Sequence, residues 1–318
     1  MVKSRSKAWN QGMVLGIITV LLLAAGVLLN RQFLRPENIA NILIMASLLG
    51  FAASGQTLVV LSGNDGLDLS VGGVMSLGAV VSYMLMNGEN ANFFKALILT
   101  LVIGAIVGLF NAAGIVLAKI PALVMTLAVS NALTSVQQLL TGGNPKGAPA
   151  PIASKIATSR AAAFLPWLAI IWIVLIVGMR LLLSRSTYGK QLYAVGSNEV
   201  AAGLSGIRVK KIRICTYVFC GILSAFAGFW LCAYNGVIYV NAGSSYVMPS
   251  VAAVVIGGTS VAGGKGDYLG TVVGTIILTI VNSLLVMMDM NEAGKYMMNG
   301  LILLVLLVIY TRHPKIRQ

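Results

Sequence analysis

Charged side chains are scarce in this chain, and this excludes a soluble domain of ordinary composition. Only 9% of the 318 residues are Asp, Glu, Lys or Arg, while 58% are hydrophobic. Soluble domains carry about 25% charged residues. The apolar residues come in runs of about 20, the length of a helix that spans a bilayer. The sequence therefore predicts an all-α, polytopic membrane protein in which residues 1–318 form a single transmembrane domain.

Histidine and cysteine are also rare, which argues against several kinds of active site. His313 is the only histidine and lies in the basic C-terminal tail, so we expect neither a histidine-based metal site nor a Ser-His-Asp triad. Cys215, Cys220 and Cys232 fall in one apolar stretch, with a spacing that fits no metal-binding motif. We expect no catalytic residue, no metal and no cofactor, and a membrane-bound enzyme has little support.

Acidic residues are few as well, with 8 Asp and Glu against 22 Lys and Arg and a net charge of +14. The basic residues flank apolar runs and do not cover one solvated face, so no nucleic-acid partner is expected. With the N-terminus placed inside, the inner segments hold 15 Lys and Arg residues and the outer segments hold 7. The positive-inside rule then predicts cytoplasmic N- and C-termini.

Ten apolar runs are predicted to be membrane spans. The first follows three basic residues, as in a signal peptide, but it is long and has no convincing cleavage site, so we interpret it as a retained span. The eighth is short and ends in glycines, so it either spans the membrane or re-enters it. The predicted spans are 13–29, 38–61, 69–87, 93–118, 121–141, 163–183, 212–236, 247–262, 268–288 and 295–311.

A polar loop at about 184–211 is too long to be a tight turn between two spans. Ser197 is predicted to cap a short helix, with Glu199 in its first turn, where a negative charge suits the helix dipole. Ala201 and Ala202 favour the helix, and Gly206 is predicted to end it in a left-handed conformation. Such a helix has a shape that another protein could grip. The loop's basic residues alternatively serve as a topological anchor that contacts anionic membrane lipid.

Two further interruptions are rich in glycine. In 61–73, Asp65 and Asp68 lie between glycines, which is typical either of a broken helix that lines a cavity or of a plain turn in which Asp68 or Ser70 caps the next helix. The stretch 257–270 resembles a phosphate-binding loop, but Thr259 stands where the first glycine belongs, so no nucleotide site of that type is predicted. The two interruptions are alike and suggest an internal repeat.

Uncharged polar side chains lie within the spans. They suit either a neutral, polyhydroxylated solute or hydrogen bonds between helices, and Tyr234 and Asn282 are among them. No relay of charged side chains crosses the spans, so we expect the energy for transport to come from outside this chain. The candidate residues for a translocation path or gate are Gln56, Asn64, Asp65, Asp68, Ser70, Asn111 and Asn131.

Three stretches, 66–72, 193–207 and 256–266, resemble the signatures of ribose/xylose/arabinose/galactose-type permease subunits of bacterial ATP-binding-cassette (ABC) importers. Leu67 stands where the family usually has Ile. The resemblance covers nearly the whole chain, and it also extends to permeases for inositol-like polyols and furanose signalling molecules. It implies that the central loop contacts a cytoplasmic ATPase through Gly196, Ser197, Asn198, Glu199, Ala201, Ala202, Leu204 and Gly206.

The resemblance also implies a multi-pass permease in the bacterial inner (plasma) membrane. Its partners would be a cytoplasmic ABC ATPase subunit, a periplasmic or lipid-anchored sugar-binding protein, and a second permease subunit in a homodimer or heterodimer. The main alternative is a self-contained secondary transporter or channel for a small polar solute. That alternative needs ion-coupling groups, which the spans lack.

Overall fold

The computed structural model describes residues 2–64, 66–162, 164–291, 293–295, 297–298, 300–301 and 304. Within these ranges the chain is helical and has no strand, apart from one isolated bridge between Arg160 and Pro166. The helices described are α1 (Val2–Leu29), α2 (Pro36–Leu61), α3 (Val71–Met86), α4 (Phe93–Ala112), α5 (Ala122–Thr141), α6 (Pro151–Thr158), α7 (Trp167–Ser184), α8 (Thr187–Ser197), α9 (Glu199–Leu204), α10 (Val209–Asn235), α11 (Val247–Ile256) and α12 (Tyr268–Met287).

Six described helical segments are long and apolar enough to cross a membrane, judged by length and composition: Pro36–Leu61, Asn90–Leu117, Ala122–Thr141, Trp167–Ser184, Val209–Asn235 and Tyr268–Met287. Three shorter apolar helices, Leu15–Leu29, Val71–Met86 and Ser244–Ile256, coincide with three more of the predicted spans. The last predicted span, 295–311, lies mostly outside the described residues. The all-helical class is confirmed, whereas the count of ten spans and the internal repeat stay predictions.

The helix α10 is the centre of the bundle and packs most extensively against α4, α3 and α2. Glycines allow this close packing. A Cβ atom on Gly221 would overlap the carbonyl oxygen of Gly104, and one on Gly108 would overlap the carbonyl oxygen of Tyr217. Small residues let helix backbones approach in this way where lipid supplies no hydrophobic driving force.

A buried hydrogen-bonded cluster fastens α12 to two neighbouring helices. The Tyr268 hydroxyl donates to the carbonyl oxygen of Gly50 on α2 at 2.8 Å and accepts from Trp172 Nε1 on α7 at 3.0 Å. The Tyr268 ring is fully buried, and a buried tyrosine hydroxyl requires such partners. The absence of a side chain at Gly50 leaves room for the Trp172 indole.

The outer surface of α4 is apolar. Phe94, Ile98, Val102 and Ile106 are all exposed and repeat every four residues along the helix. A soluble protein rarely exposes such a continuous apolar stripe, whereas a helix that faces lipid requires it.

The bundle has two distinct ends. The C-terminus of α2 and the N-termini of α10 and α12 share one end with α8 and α9, which we call the α9 end. The N-terminus of α2 and the C-termini of α10 and α12 lie at the opposite end, where residues from all three line one cavity.

The close contact between α4 and α10 generates a stability prediction. Gly221→Ala is expected to lower the free energy of unfolding by about 1–3 kcal/mol, because the new methyl group overlaps the Gly104 backbone. Thermal unfolding in detergent measures this. Gly178→Ala on α7 is the matched control, since nothing lies within 4 Å of that position. Equal melting temperatures for the two variants would contradict the packing.

Candidate functional site: the meeting point of three backbone breaks

The central loop forms two helices where a single short one was predicted. The helix α8 begins after Ser186, whose hydroxyl accepts the backbone N–H of Gly189 at 3.0 Å. The helix α9 begins after Asn198, whose Oδ1 accepts the N–H of Ala201 at 2.9 Å. The prediction that Ser197 caps this helix is therefore wrong. Ser197 ends α8, and the chain becomes extended one residue later, at Asn198, where the side chain can reach back to the first turn.

The end of α9 agrees with the prediction. Gly206 has a φ of +82°, a left-handed conformation that glycine adopts without strain. The N–H of Ile207 bonds the carbonyl of Ala202 at 3.1 Å, as at many helix C-termini that end in glycine. A sharp stop here directs the chain straight into α10.

The surface of α9 is apolar on one side. Val200 is 72% exposed and Leu204 is 86% exposed, and these two residues are one helical turn apart. Ala202 faces the other way and is 5% exposed, packed into a cluster that includes Leu192 and Ile212. Val200 was not among the predicted contact residues. Its spacing of four from Leu204 in an otherwise polar loop was the available signal.

An ion pair joins α9 to α10. Arg213 Nη2 donates to Glu199 Oε2 at 2.6 Å. The Arg213 side chain is only 13% exposed and that of Glu199 is 45% exposed. The ion pair therefore connects the first turn of α9 to the start of α10.

Glycines bring three breaks into backbone contact. A Cβ atom on Gly196 would overlap both the Leu61 carbonyl oxygen and the Gly264 backbone, and the N–H of Gly264 donates to Leu61 O at 3.0 Å. Gly63 and Gly263 have φ angles of +71° and +88° and lie against each other and against the Gly196 carbonyl. The two glycine-rich interruptions thus meet α8 at one point, which we call the glycine contact.

A tyrosine of α8 reinforces the glycine contact. Tyr193 donates its hydroxyl proton to the Gly266 carbonyl oxygen at 2.8 Å. Burial, together with the nearby Asp267 carboxylate, raises the pKa of Tyr193 to about 12. The hydroxyl therefore remains a proton donor at any physiological pH.

Four of the predicted path residues form one buried network beside the glycine contact. The Asp68 carboxylate accepts from the Ser70 N–H at 2.8 Å and from the Ser70 hydroxyl at 2.6 Å. Asn111 Nδ2 donates to the Ser70 hydroxyl at 2.7 Å. The Gln56 side-chain amide takes the orientation that satisfies both of its ends. Its nitrogen donates to the backbone carbonyl oxygen of Asp68 at 3.1 Å, and its oxygen accepts from the backbone N–H of Asp68 at 3.3 Å.

This network decides how α3 begins. Ser70 occupies the N-cap position, yet its side chain does not cap the helix and bonds to Asp68 and Asn111 instead. Of the other predicted path residues, Asn64 borders a cavity at the α9 end, and Asn131 is exposed on α5. Asp65 lies outside the described residues.

A cavity of about 460 Å³ opens at the opposite end, between α2, α10, α11 and α12. None of the seven predicted path residues lines it. Its polar lining consists of amides, hydroxyls and one ammonium group, with no carboxylate among the described lining residues. These polar residues are Asn38, Asn41, Tyr234, Ser245, Tyr246, Thr279, Asn282, Ser283 and Lys295. Such a lining donates and accepts hydrogen bonds in many directions, which suits an uncharged solute rich in hydroxyl groups.

Among the described residues, no three His, Cys, Asp or Glu side chains come together as a possible metal-ligand set.

Comparison with known proteins identifies relatives over almost the whole chain. The family "Branched-chain amino acid transport system / permease component" matches residues 38–307. The ribose import permease protein of Escherichia coli is 30% identical over 96% of this chain and 95% of its own length. The Bacillus subtilis ribose import permease protein is 32% identical, covering 94% and 91%. The autoinducer 2 import system permease protein of Shigella flexneri is 34% identical, covering 92% and 84%. No solved structure matches the chain at a significant level.

The glycine contact yields a second prediction. Gly196→Ala is expected to separate the three breaks, because no space exists for a methyl group between Leu61 and Gly264. Hydrogen exchange of residues 61–66 and 262–266 should then become faster by about tenfold or more. Gly203→Ala on α9 is the control, since nothing lies within 4 Å of Gly203. Unchanged exchange in the Gly196 variant would show that the contact is loose.

Proposed function

The chain belongs to the transport-system permease family and is the permease subunit of an ABC importer, and from this premise we propose that it carries a monosaccharide or a sugar-like polyol into the cell. Two relatives are named for ribose and one for autoinducer 2. These relatives are transport permeases and not enzymes. The cavity at the opposite end is the single observation in the structure that carries the choice of solute.

The lining of that cavity favours a sugar over an amino acid. An amino acid would bring an ammonium group and a carboxylate, and the ammonium group would need an acidic partner. The described lining contains no Asp or Glu that could pair with a cation. Three Asn side chains, together with serine, threonine and tyrosine hydroxyls, instead match alternating donors and acceptors on a polyol. Tyr234 and Tyr246 add aromatic rings on which an apolar sugar face can rest.

The ATPase partner is proposed to bind at α9. Val200 and Leu204 form an exposed apolar pair that no part of the described chain covers, and small residues around them let a groove close tightly. Among the coupling residues expected from the sequence, Ser197, Asn198, Glu199, Ala201 and Gly206 share this exposed surface. Gly196 and Ala202 act from within, because both are buried against the chain's own helices.

Motion of α9 has two rigid routes into the bundle. The ion pair between Glu199 and Arg213 leads into α10, and the glycine contact leads into α2 and the loop before α12. Rigid contacts pass a displacement on, whereas a flexible loop absorbs it. Since α10 and α12 both reach the cavity at the opposite end, closure of the paired ATPases at α9 would alter the shape of the solute cavity.

The remaining features follow from this assignment. We propose that the α9 end is cytoplasmic and the cavity end faces the binding protein, with both termini cytoplasmic. The chain would act as one permease domain of ten spans, paired with a second permease subunit in the bacterial inner membrane. The Gln56, Asp68, Ser70 and Asn111 network would hold the break between α2 and α3 in shape while the adjoining helices move.

Docking of the ATPase can be tested on the exposed pair. The double variant Val200→Glu/Leu204→Glu is expected to reduce co-purification of the ATPase by at least about tenfold, because two carboxylates would be buried without partners. Val237→Glu serves as the control, because Val237 is 69% exposed after the far end of α10. Full recovery of the ATPase with the double variant would show that the ATPase does not bind at α9. Ala202 is unsuitable for this test, since substitution of a buried residue would disturb the fold itself.

Solute identity can be tested by uptake into cells that contain the complete importer. Labelled pentoses, hexoses, polyols and leucine are supplied in turn, and we expect uptake of a sugar or polyol and none of leucine. Asn41→Leu should lower that uptake about threefold to tenfold through the loss of one hydrogen-bonding group. Asn144→Leu makes the same change at an exposed position outside the cavity. Leucine uptake, or equal effects of the two variants, would refute the assignment.

A further inference from the structure

A second cavity, of about 510 Å³, lies at the α9 end, beside the glycine contact. Its walls come from three places that are far apart in sequence. These are the first turns of α9 and α10, the break at 62–64, and the connection between α4 and α5 at 115–122. The solute cavity lies at the other end of the bundle, so this one requires a separate explanation.

The cavity is basic. Among the described lining residues, Lys119, Lys210 and Arg213 are basic and only Glu199, which is paired with Arg213, is acidic. Neither lysine forms an ion pair with any carboxylate in the described part of the chain. The described part of the lining therefore has two more positive than negative charges. Positive groups that converge on a concave surface without counter-charges raise the local concentration of anions.

Backbone groups add to this field. The helices α5 and α10 both begin at the cavity wall, at Pro121–Ala122 and at Val209, and neither has a side-chain hydrogen bond to its first turn. The N-terminus of a long helix carries a partial positive charge and unsatisfied N–H donors. Arg213 Nε is buried without a hydrogen-bond partner, although the same guanidinium already bonds Glu199 through Nη2. A buried donor without an acceptor destabilises the folded protein, unless a ligand or a water molecule accepts from it.

We propose that this cavity binds a phosphate-type anion. Phosphate oxygens accept several hydrogen bonds at once and match the fork of donors on a guanidinium. The side chains of Ile115, Val116 and Ile120 form an apolar wall beside the basic groups, so the phosphate can belong to a phospholipid headgroup or to a free phosphate. The bound anion would brace α9 against the α4–α5 connection. The inference does not depend on the identity of the transported solute.

Binding can be measured by calorimetry on the purified full-length chain in an uncharged detergent. The two probes are inorganic phosphate and dihexanoyl phosphatidylglycerol below its micelle concentration. The test variant is Lys119→Gln/Lys210→Gln, which removes two cavity charges at exposed positions. The matched control is Lys190→Gln/Lys211→Gln, which removes two exposed charges from the same face, outside the cavity. Lys211 directly follows Lys210, so the control is close in sequence.

Whichever probe binds the unmodified chain is expected to bind the Lys119→Gln/Lys210→Gln variant at least about tenfold more weakly. The affinity of the control variant for that probe is expected to change by less than about twofold. Binding of the lipid without competition from inorganic phosphate would identify a headgroup as the source. Binding of inorganic phosphate with the same lysine dependence would identify a free phosphate. Equal weakening by both variants would reveal only diffuse surface electrostatics and would overturn the proposal, as would the failure of both probes to bind the unmodified chain.

Discussion

The architecture of this permease depends on one close backbone approach. Gly196 lies so near the Leu61 carbonyl and the Gly264 amide that any side chain would separate them. Because the contact is made by backbone atoms, it cannot relax by changing a rotamer. It joins the end of α2, the end of α8 and the loop before α12 into one rigid unit. The exposed helix α9 begins one residue after that unit, so a displacement of α9 would act directly on the unit.

The helix α10 connects the two ends of the bundle. Arg213, near its start, is paired with Glu199, and Tyr234, near its end, lines the cavity that we propose binds the solute. At 1.5 Å per residue these two positions are about 30 Å apart, roughly the thickness of the apolar part of a bilayer. Gly221 and Gly228 of α10 let α4 and α3 pack directly on its backbone, and Gly55 of α2 allows the same close approach from α2. A helix held on several sides transmits displacement with little bending.

Local signals predicted the helices well. The predicted spans 121–141, 212–236 and 268–288 agree with α5, α10 and α12 to within a few residues, because apolar length depends on the bilayer and not on neighbouring helices. The prediction of the Ser197 cap failed for a local reason. Two adjacent residues, Ser197 and Asn198, are both good caps, and only the path of the chain decides which one turns back toward the helix.

Features of the proposed functional sites were likewise predictable from the sequence only in part. The sequence by itself determined that this is a helical membrane permease, and it identified three glycine-rich or polar stretches as unusual, since composition and motif are properties of residue order alone. Only the tertiary structure decided that these three stretches touch one another and that Ala202 is buried while Val200 is exposed. It also decided that Asn41, Tyr234 and Asn282 line one cavity, the proposed solute site. Those facts depend on which helix faces lie side by side. The relative rotation of helices is set by packing across the whole bundle, which no single stretch of sequence encodes.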